Sequence, residues 1–231
     1  MAYRWALWAS AGLRIQRIQV DKGPKRCKID LQWRLGMCEH GLRHKMRLLF
    51  NPRKAAQAAA YLVKSKGGTI NVLSLVKLLY LADRVALVES GYTITGDKMV
   101  SMPHGTVLSR VLDSIDWESG DDDPWRGYIS ERTDNAVSLA DPTPEFDELS
   151  QYETEVLDRI IKEYGHLTPS QLRRLTHELP EYQDPDGSSL PIEPVTILRA
   201  VGKSEAEIRD ATQDAEAFYL TSRLLKKVSA R

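Results

Sequence analysis

Cysteine is scarce: two in 231 residues, Cys27 and Cys38. A disulfide scaffold is excluded, and the chain suits a reducing compartment such as the cytoplasm. No run of eighteen apolar residues occurs, so no membrane-spanning helix is expected. Aromatics make up only 7%, and there is no net charge. Glycine and proline are ordinary at 14 and 11, which leaves no room for a linker-rich or collagen-like chain. With 42% hydrophobic and 28% charged residues, the composition is that of a globular core with a solvated surface.

The zero net charge conceals two dissimilar pieces. Residues 1–45 hold ten Lys/Arg against three Asp/Glu, whereas the remainder holds 22 against 29. Trp5, Trp8, Trp33 and both cysteines fall in the first piece, which shows neither a helical stripe nor alternation. We expect residues 1–45 to be a basic extension, poorly ordered or translated from a mis-assigned start, and 46–231 to be a single domain. Cys27, Cys38, His40 and His44 could in principle close a tetrahedral zinc site. Their C-x10-C-x-H-x3-H spacing matches no common finger, so no metal is expected.

Downstream, the punctuation is helical. Asn51-Pro52 reads as an N-cap with proline in the first turn, and the helix it opens stops at Gly67-Gly68. Residues 72–89 form a second helix that is apolar nearly all round, the mark of a central helix. On it Lys77, Tyr80 and Arg84 share a face, as a solvated stripe or as a contact surface, with Asp83 beside them. Asp83 reads as a buried carboxylate held by a tyrosine, an arginine or a helix N-terminus.

The spacing of Val107, Leu108, Val111, Leu112 and Ile115 predicts a third helix over 105–116, entered through a tight turn at Pro103-His104-Gly105. Tyr128 to Ala140 reads as a hairpin around Thr133-Asp134-Asn135. Three capping boxes then open helices: Ser150 with Glu153, Thr168 with Gln171, and Ser204 with Glu207. The last carries the stripe Ile208, Ala211, Ala215, Phe218 and Leu225, and a short helix near 194–201 precedes it. The expected fold is mainly α: a compact orthogonal domain of about six to seven helices with a small β-hairpin element.

Catalytic signatures are thin. There is no phosphate-binding Gly-rich loop, no G-x-S-x-G elbow and no H-E-x-x-H. Asp121-Asp122-Asp123 lacks the ligand spacing of a calcium loop. His104, His166 and His177 have no nucleophile partner in sequence. No catalytic residue, cofactor or metal is expected. A winged helix-turn-helix regulator of transcription is the alternative, although the acidic body would repel phosphates.

The motifs Lys77-Leu78-Leu79-Tyr80-Leu81-Ala82-Asp83, Gly91 to Asp97 and Ser101 to Ser109 resemble the Panacea antitoxin domain, the SocA-like family. The likeness continues at Thr176-His177-Glu178-Leu179-Pro180-Glu181-Tyr182, Ser188 to Ile192 and Gly202-Lys203-Ser204, covering about 50–210. Thr106 stands where the family favours proline, and Tyr182 where it favours tryptophan. The resemblance implies an antitoxin of a bacterial or phage toxin–antitoxin pair. Such a protein binds a cognate toxin encoded nearby, and in one branch acts as an adaptor to a cellular protease. Lys77, Tyr80, Asp83, Arg84, His104, His177 and Tyr182 are the partner-binding candidates.

Overall fold

Helix α2 (Val72–Ser90) is the element round which the others are laid, and its sequence explains why. Leu75, Leu78, Leu79, Ala82, Ala86 and Leu87 are all buried, and so are Lys77, Tyr80 and Asp83 on its remaining sides. A helix with no polar face must be covered all round. Asn71 caps its start by accepting from the amides of Leu73 and Ser74. Gly91, in the left-handed conformation, ends it, and its amide donates to the Leu87 carbonyl.

The structure, a computed structural model, describes residues 45–116, 120 and 122–229. Cys27, Cys38, His40, His44, Asp121 and the basic segment other than Lys45 lie outside these. Residues 43–231 form one compact unit. The described residues make eight helices and five short strands, so the fold is mainly α.

Helix α1 (Pro52–Ser65) packs on α2, α4 and α5, and its buried alanines 55, 56, 58, 59 and 60 have small side chains that permit close approach. Both of the first capping boxes form as the sequence reading has them. Ser150 with Glu153 opens α5 (Gln151–Tyr164), and Thr168 with Gln171 opens α6 (Pro169–His177). Helices α5, α6 and α7 (Pro194–Ala200) each pack on α2. Helix α8 (Glu205–Ser229) follows, with Ser204 and Glu207 bonded reciprocally at its start.

The β structure differs from the sequence reading in three places. Residues 105–108 are not the first turn of a helix. They form strand β3 (Gly105–Leu108), antiparallel to β2 (Met99–Met102), with Pro103-His104 as the loop between them. All four β3 residues are buried, so their apolar spacing mimics a helical stripe, and α3 (Ser109–Ile115) begins only afterwards. The chain does reverse at Thr133–Ala136, with Asp134 at a φ of 56°. Residues before and after the turn bridge antiparallel at Ile129–Leu139 and Thr133–Ala136, as the hairpin reading has it, but β4 (Ala136–Ser138) also takes a ladder from β1 (Thr69–Asn71) that the reading lacked. Finally, β5 (Leu190–Ile192) adds to the far edge of β2, giving the order β3-β2-β5. The short helix α4 (Trp125–Tyr128) had no sequence signal, and its Trp125 is buried in the core.

Candidate functional site

The motifs singled out in the sequence converge where α2, the β2–β3 hairpin, α6 and the loop 178–184 meet. Helix α2 supplies the floor. Lys77 and Tyr80 are fully buried, so the solvated stripe considered for this helix does not form. Lys77 Nζ donates to the Thr106 carbonyl at 2.6 Å, which ties α2 to β3. Its amine is held down to about 7, first by burial and then by the positive charge of Arg173.

Tyr80 and Arg84 reach the other way, to Glu181. The Tyr80 hydroxyl donates to Glu181 Oε1 at 3.0 Å, and Arg84 grips both carboxylate oxygens at 2.6 and 3.2 Å. Glu181 itself is buried, so this is a desolvated ion pair with its hydrogen bonds filled. Burial, then the Glu181 charge, pushes the Tyr80 hydroxyl well above its ordinary range. Sequence reasoning passed over Glu181, although it sits beside Tyr182 in the motif. The signal was an acid between proline and tyrosine in a loop otherwise made of turn formers.

Asp83 is the buried carboxylate expected, but neither tyrosine nor arginine holds it. It accepts the amides of Ile94 and Thr95, both at 3.0 Å, and the Thr95 hydroxyl. It therefore pins the segment after α2 and fixes where β2 starts. Burial raises it to about 7 in spite of those donors. Asp97 continues the brace by accepting from the amides of Lys98 and Val111.

Gly105 lets the hairpin approach this floor. Its φ is +91°, and a Cβ there would lie 2.9 Å from both Lys77 Nζ and His177 Cδ2 and would collide with Thr176 Oγ1. The surface above it is made by exposed His104 and Pro103, exposed Arg173, and half-buried His177 and Tyr182. Arg173 donates to the Pro103 carbonyl at 3.3 Å. The rings of His177 and Tyr182 stack in parallel, 4.5 Å apart. Burial lowers the His177 pKa, and the positive charges of Arg173 and Lys77 lower it further. His177 Nε2 is buried without a hydrogen-bond partner among the described residues.

A lysine near 7 could serve as a nucleophile. Here its Nζ is sealed under the hairpin, with no exposed surface to meet a substrate. Among the described residues no group of three or more His, Cys, Asp or Glu could hold a metal ion. Of the seven candidates, Lys77, Tyr80 and Asp83 are buried braces, and Arg84 is half-buried against Glu181. His104, His177 and Tyr182 come together at the surface, where Arg173 joins them.

The two shifted groups make stability depend on pH in opposite directions. Asp83 keeps its proton in the folded chain from its ordinary 3.8 up to about 7, so folding stability falls as pH rises through that window. Lys77 loses its proton early, at about 7 against 10.5, so stability rises again above 7. Each limb approaches about 1.4 kcal/mol per pH unit. In urea midpoints measured from pH 4 to 10, Asp83→Asn is expected to flatten the falling limb and Lys77→Met the rising one. Unchanged limbs in both variants would contradict these assignments.

Residues 75–183 match the family model described as "Antitoxin SocA-like, Panacea domain". Over those residues the chain is similar to a Panacea domain. The match begins inside α2 and ends one residue past Tyr182, so it contains every side chain named in the site. It is shorter than the stretch over which the motifs were read: α1 and α7–α8 flank the matched Panacea segment, and α1 and α7 pack directly on its central helix. Searches of the curated proteins and of the solved structures give no match. Among the described residues, no helix is long and apolar enough to cross a membrane.

Proposed function

We propose that this chain is the antitoxin of a bacterial or phage toxin–antitoxin pair, acting in the cytoplasm by binding a cognate toxin directly and stoichiometrically. The observation that carries the reading is the match to an antitoxin family over every side chain named in the site. The binding face is the surface made by His104, Arg173, His177 and Tyr182. Its aromatic stack and arginine are the residue types that dominate interface energetics. Lys77, Tyr80, Asp83 and Arg84 act one layer below by holding that face in shape. The acidic balance of residues 46–231 favours fast encounter with a basic toxin. No cofactor, metal or catalytic step takes part. Delivery of the bound toxin to a cellular protease is a further use of the same complex.

The DNA-binding alternative draws no support from the helices. Helix α2 is buried on nearly all sides, and α3 has seven residues, with its Arg110 lying over the Phe50 ring at 5.0 Å.

Co-expression with the neighbouring gene tests the proposal. A neighbour that kills alone is expected to be tolerated beside this chain. Arg173→Glu combined with Tyr182→Ala is expected to weaken binding by about 100-fold, from two interface truncations of about 1–2 kcal/mol each. The melting temperature should fall by no more than a few degrees, because Arg173 is exposed and Tyr182 is only half-buried. Rescue undiminished by the pair of substitutions would remove the face from the proposal.

A further inference from the structure

Arg173 lacks the counter-charge that several other arginines find within the chain. Arg53, Arg84, Arg132, Arg159 and Arg199 each meet a carboxylate of the same chain. Arg173 is exposed and forms no ion pair among the described residues. The one hydrogen bond of its guanidinium there runs to the neutral Pro103 carbonyl, at 3.3 Å. What separates it from a lone surface arginine is its company. His104, also exposed, follows Pro103 in the hairpin loop. Beneath the loop, Lys77 Nζ and His177 Cδ2 each lie 2.9 Å from the point that a Gly105 Cβ would take.

Four basic groups, brought from α2, the hairpin and α6, thus meet with no carboxylate bonded to any of them among the described residues. The acids of the adjoining loop are engaged elsewhere. Glu181 is held by Tyr80 and Arg84, and Asp184 accepts the amide of Asp186. The field at the cluster is accordingly positive. After burial, the charges of Arg173 and Lys77 lower the His177 pKa, and the opposing charge of Asp184 is the smaller influence.

We infer that this basic cluster takes one acidic side chain of the toxin, whose carboxylate meets the Arg173 guanidinium and the His104 imidazole. The inference rests on the antitoxin reading above and adds the chemistry of the contact. A guanidinium presents its N–H groups as a fork that a carboxylate fills with two parallel hydrogen bonds. Lys77 and His177 lie one layer below and add positive charge without touching the toxin. The occupant is a protein acid and not a row of phosphates. Exposed Glu178, Asp184 and Asp186 follow along the loop and would repel a nucleic-acid backbone. The net negative charge of residues 46–231 acts on the toxin as a whole at long range, whereas the cluster acts on one residue at contact.

Calorimetric titration of the full chain with the purified product of the neighbouring gene tests this. Arg173→Gln is expected to weaken binding about tenfold, with little change in the melt because the side chain is exposed. Arg173→Lys keeps the charge but loses the fork, and should fall between Gln and wild type. Each Asp and Glu of the neighbour's product is then changed in turn to Lys and titrated with Arg173→Glu. One of these variants should bind Arg173→Glu more tightly than it binds the unsubstituted chain. Binding that Tyr182→Ala weakens, but that is indifferent to Arg173→Gln and Arg173→Glu, would overturn the inference and leave the face standing. A loss in Arg173→Glu that no charge reversal on the other side repairs would overturn it as well. A neighbour's product that binds no form of this chain would overturn the antitoxin reading itself, and the inference with it.

Discussion

Glu181→Ala is expected to destabilise the fold by about 3–5 kcal/mol, the cost of breaking a buried ion pair from one side. The carboxylate takes three hydrogen bonds, one from Tyr80 and two from Arg84, and it is almost fully buried. Its removal leaves the buried Tyr80 hydroxyl without its acceptor and the half-buried Arg84 guanidinium without its counter-charge. For a chain of this size the loss corresponds to roughly 10 °C or more in melting temperature. Glu181→Gln keeps an acceptor for Tyr80 but gives up the charge pairing, and should fall between Ala and wild type. Because Glu181 adjoins Tyr182, the alanine variant should also loosen the face proposed for binding. A melt within 2 °C of wild type would show that the network contributes little.

Gly105→Ala is the second large effect, expected at about 2–5 kcal/mol. Part of it is backbone: an L-residue at a φ of +91° costs about 1–2 kcal/mol. The rest is overpacking, because the new methyl meets Thr176, His177 and Lys77 closer than van der Waals contact. Gly67→Ala separates the two contributions. Gly67 has almost the same φ, +88°, but nothing lies within 4 Å of its added Cβ. Its alanine variant should therefore lose only the backbone part. Denaturant midpoints that agree for the two variants would mean that the hairpin is not seated on α2 and α6 as described.

The helices were legible because their ends are written locally. Asn51, Ser150, Thr168 and Ser204 each cap an amide two or three residues away, and such signals survive in sequence without any knowledge of the fold. Apart from the turn at 133–136, the strands were not legible, since three or four residues give too short a window for alternation. Strand β3, buried along its whole length, even imitates the apolar spacing of a helix. The site was half legible. Its motifs named most of the residues, but their roles depend on partners far along the chain. Tyr80 finds Glu181 101 positions later, and Lys77 finds the Thr106 carbonyl 29 positions later. Polar residues at those positions of α2 read as surface until the covering elements are known. Asp83 was read correctly as buried, and its donors were missed because backbone amides at Ile94 and Thr95 leave no mark in the side-chain pattern.

The central claim is that the Panacea domain neutralises by occupancy and not by turnover. The most direct measurement is a titration of the purified product of the neighbouring gene, the toxin that the proposal requires, with increasing amounts of the full chain, read as residual toxin activity. The account predicts a linear fall to an endpoint at a fixed molar ratio near one. His104→Ala, His166→Ala and His177→Ala together should leave the shape of that line unchanged, and any damage they do should appear as weaker binding. Complete and progressive inactivation by a small fraction of one equivalent would require turnover and would contradict the account.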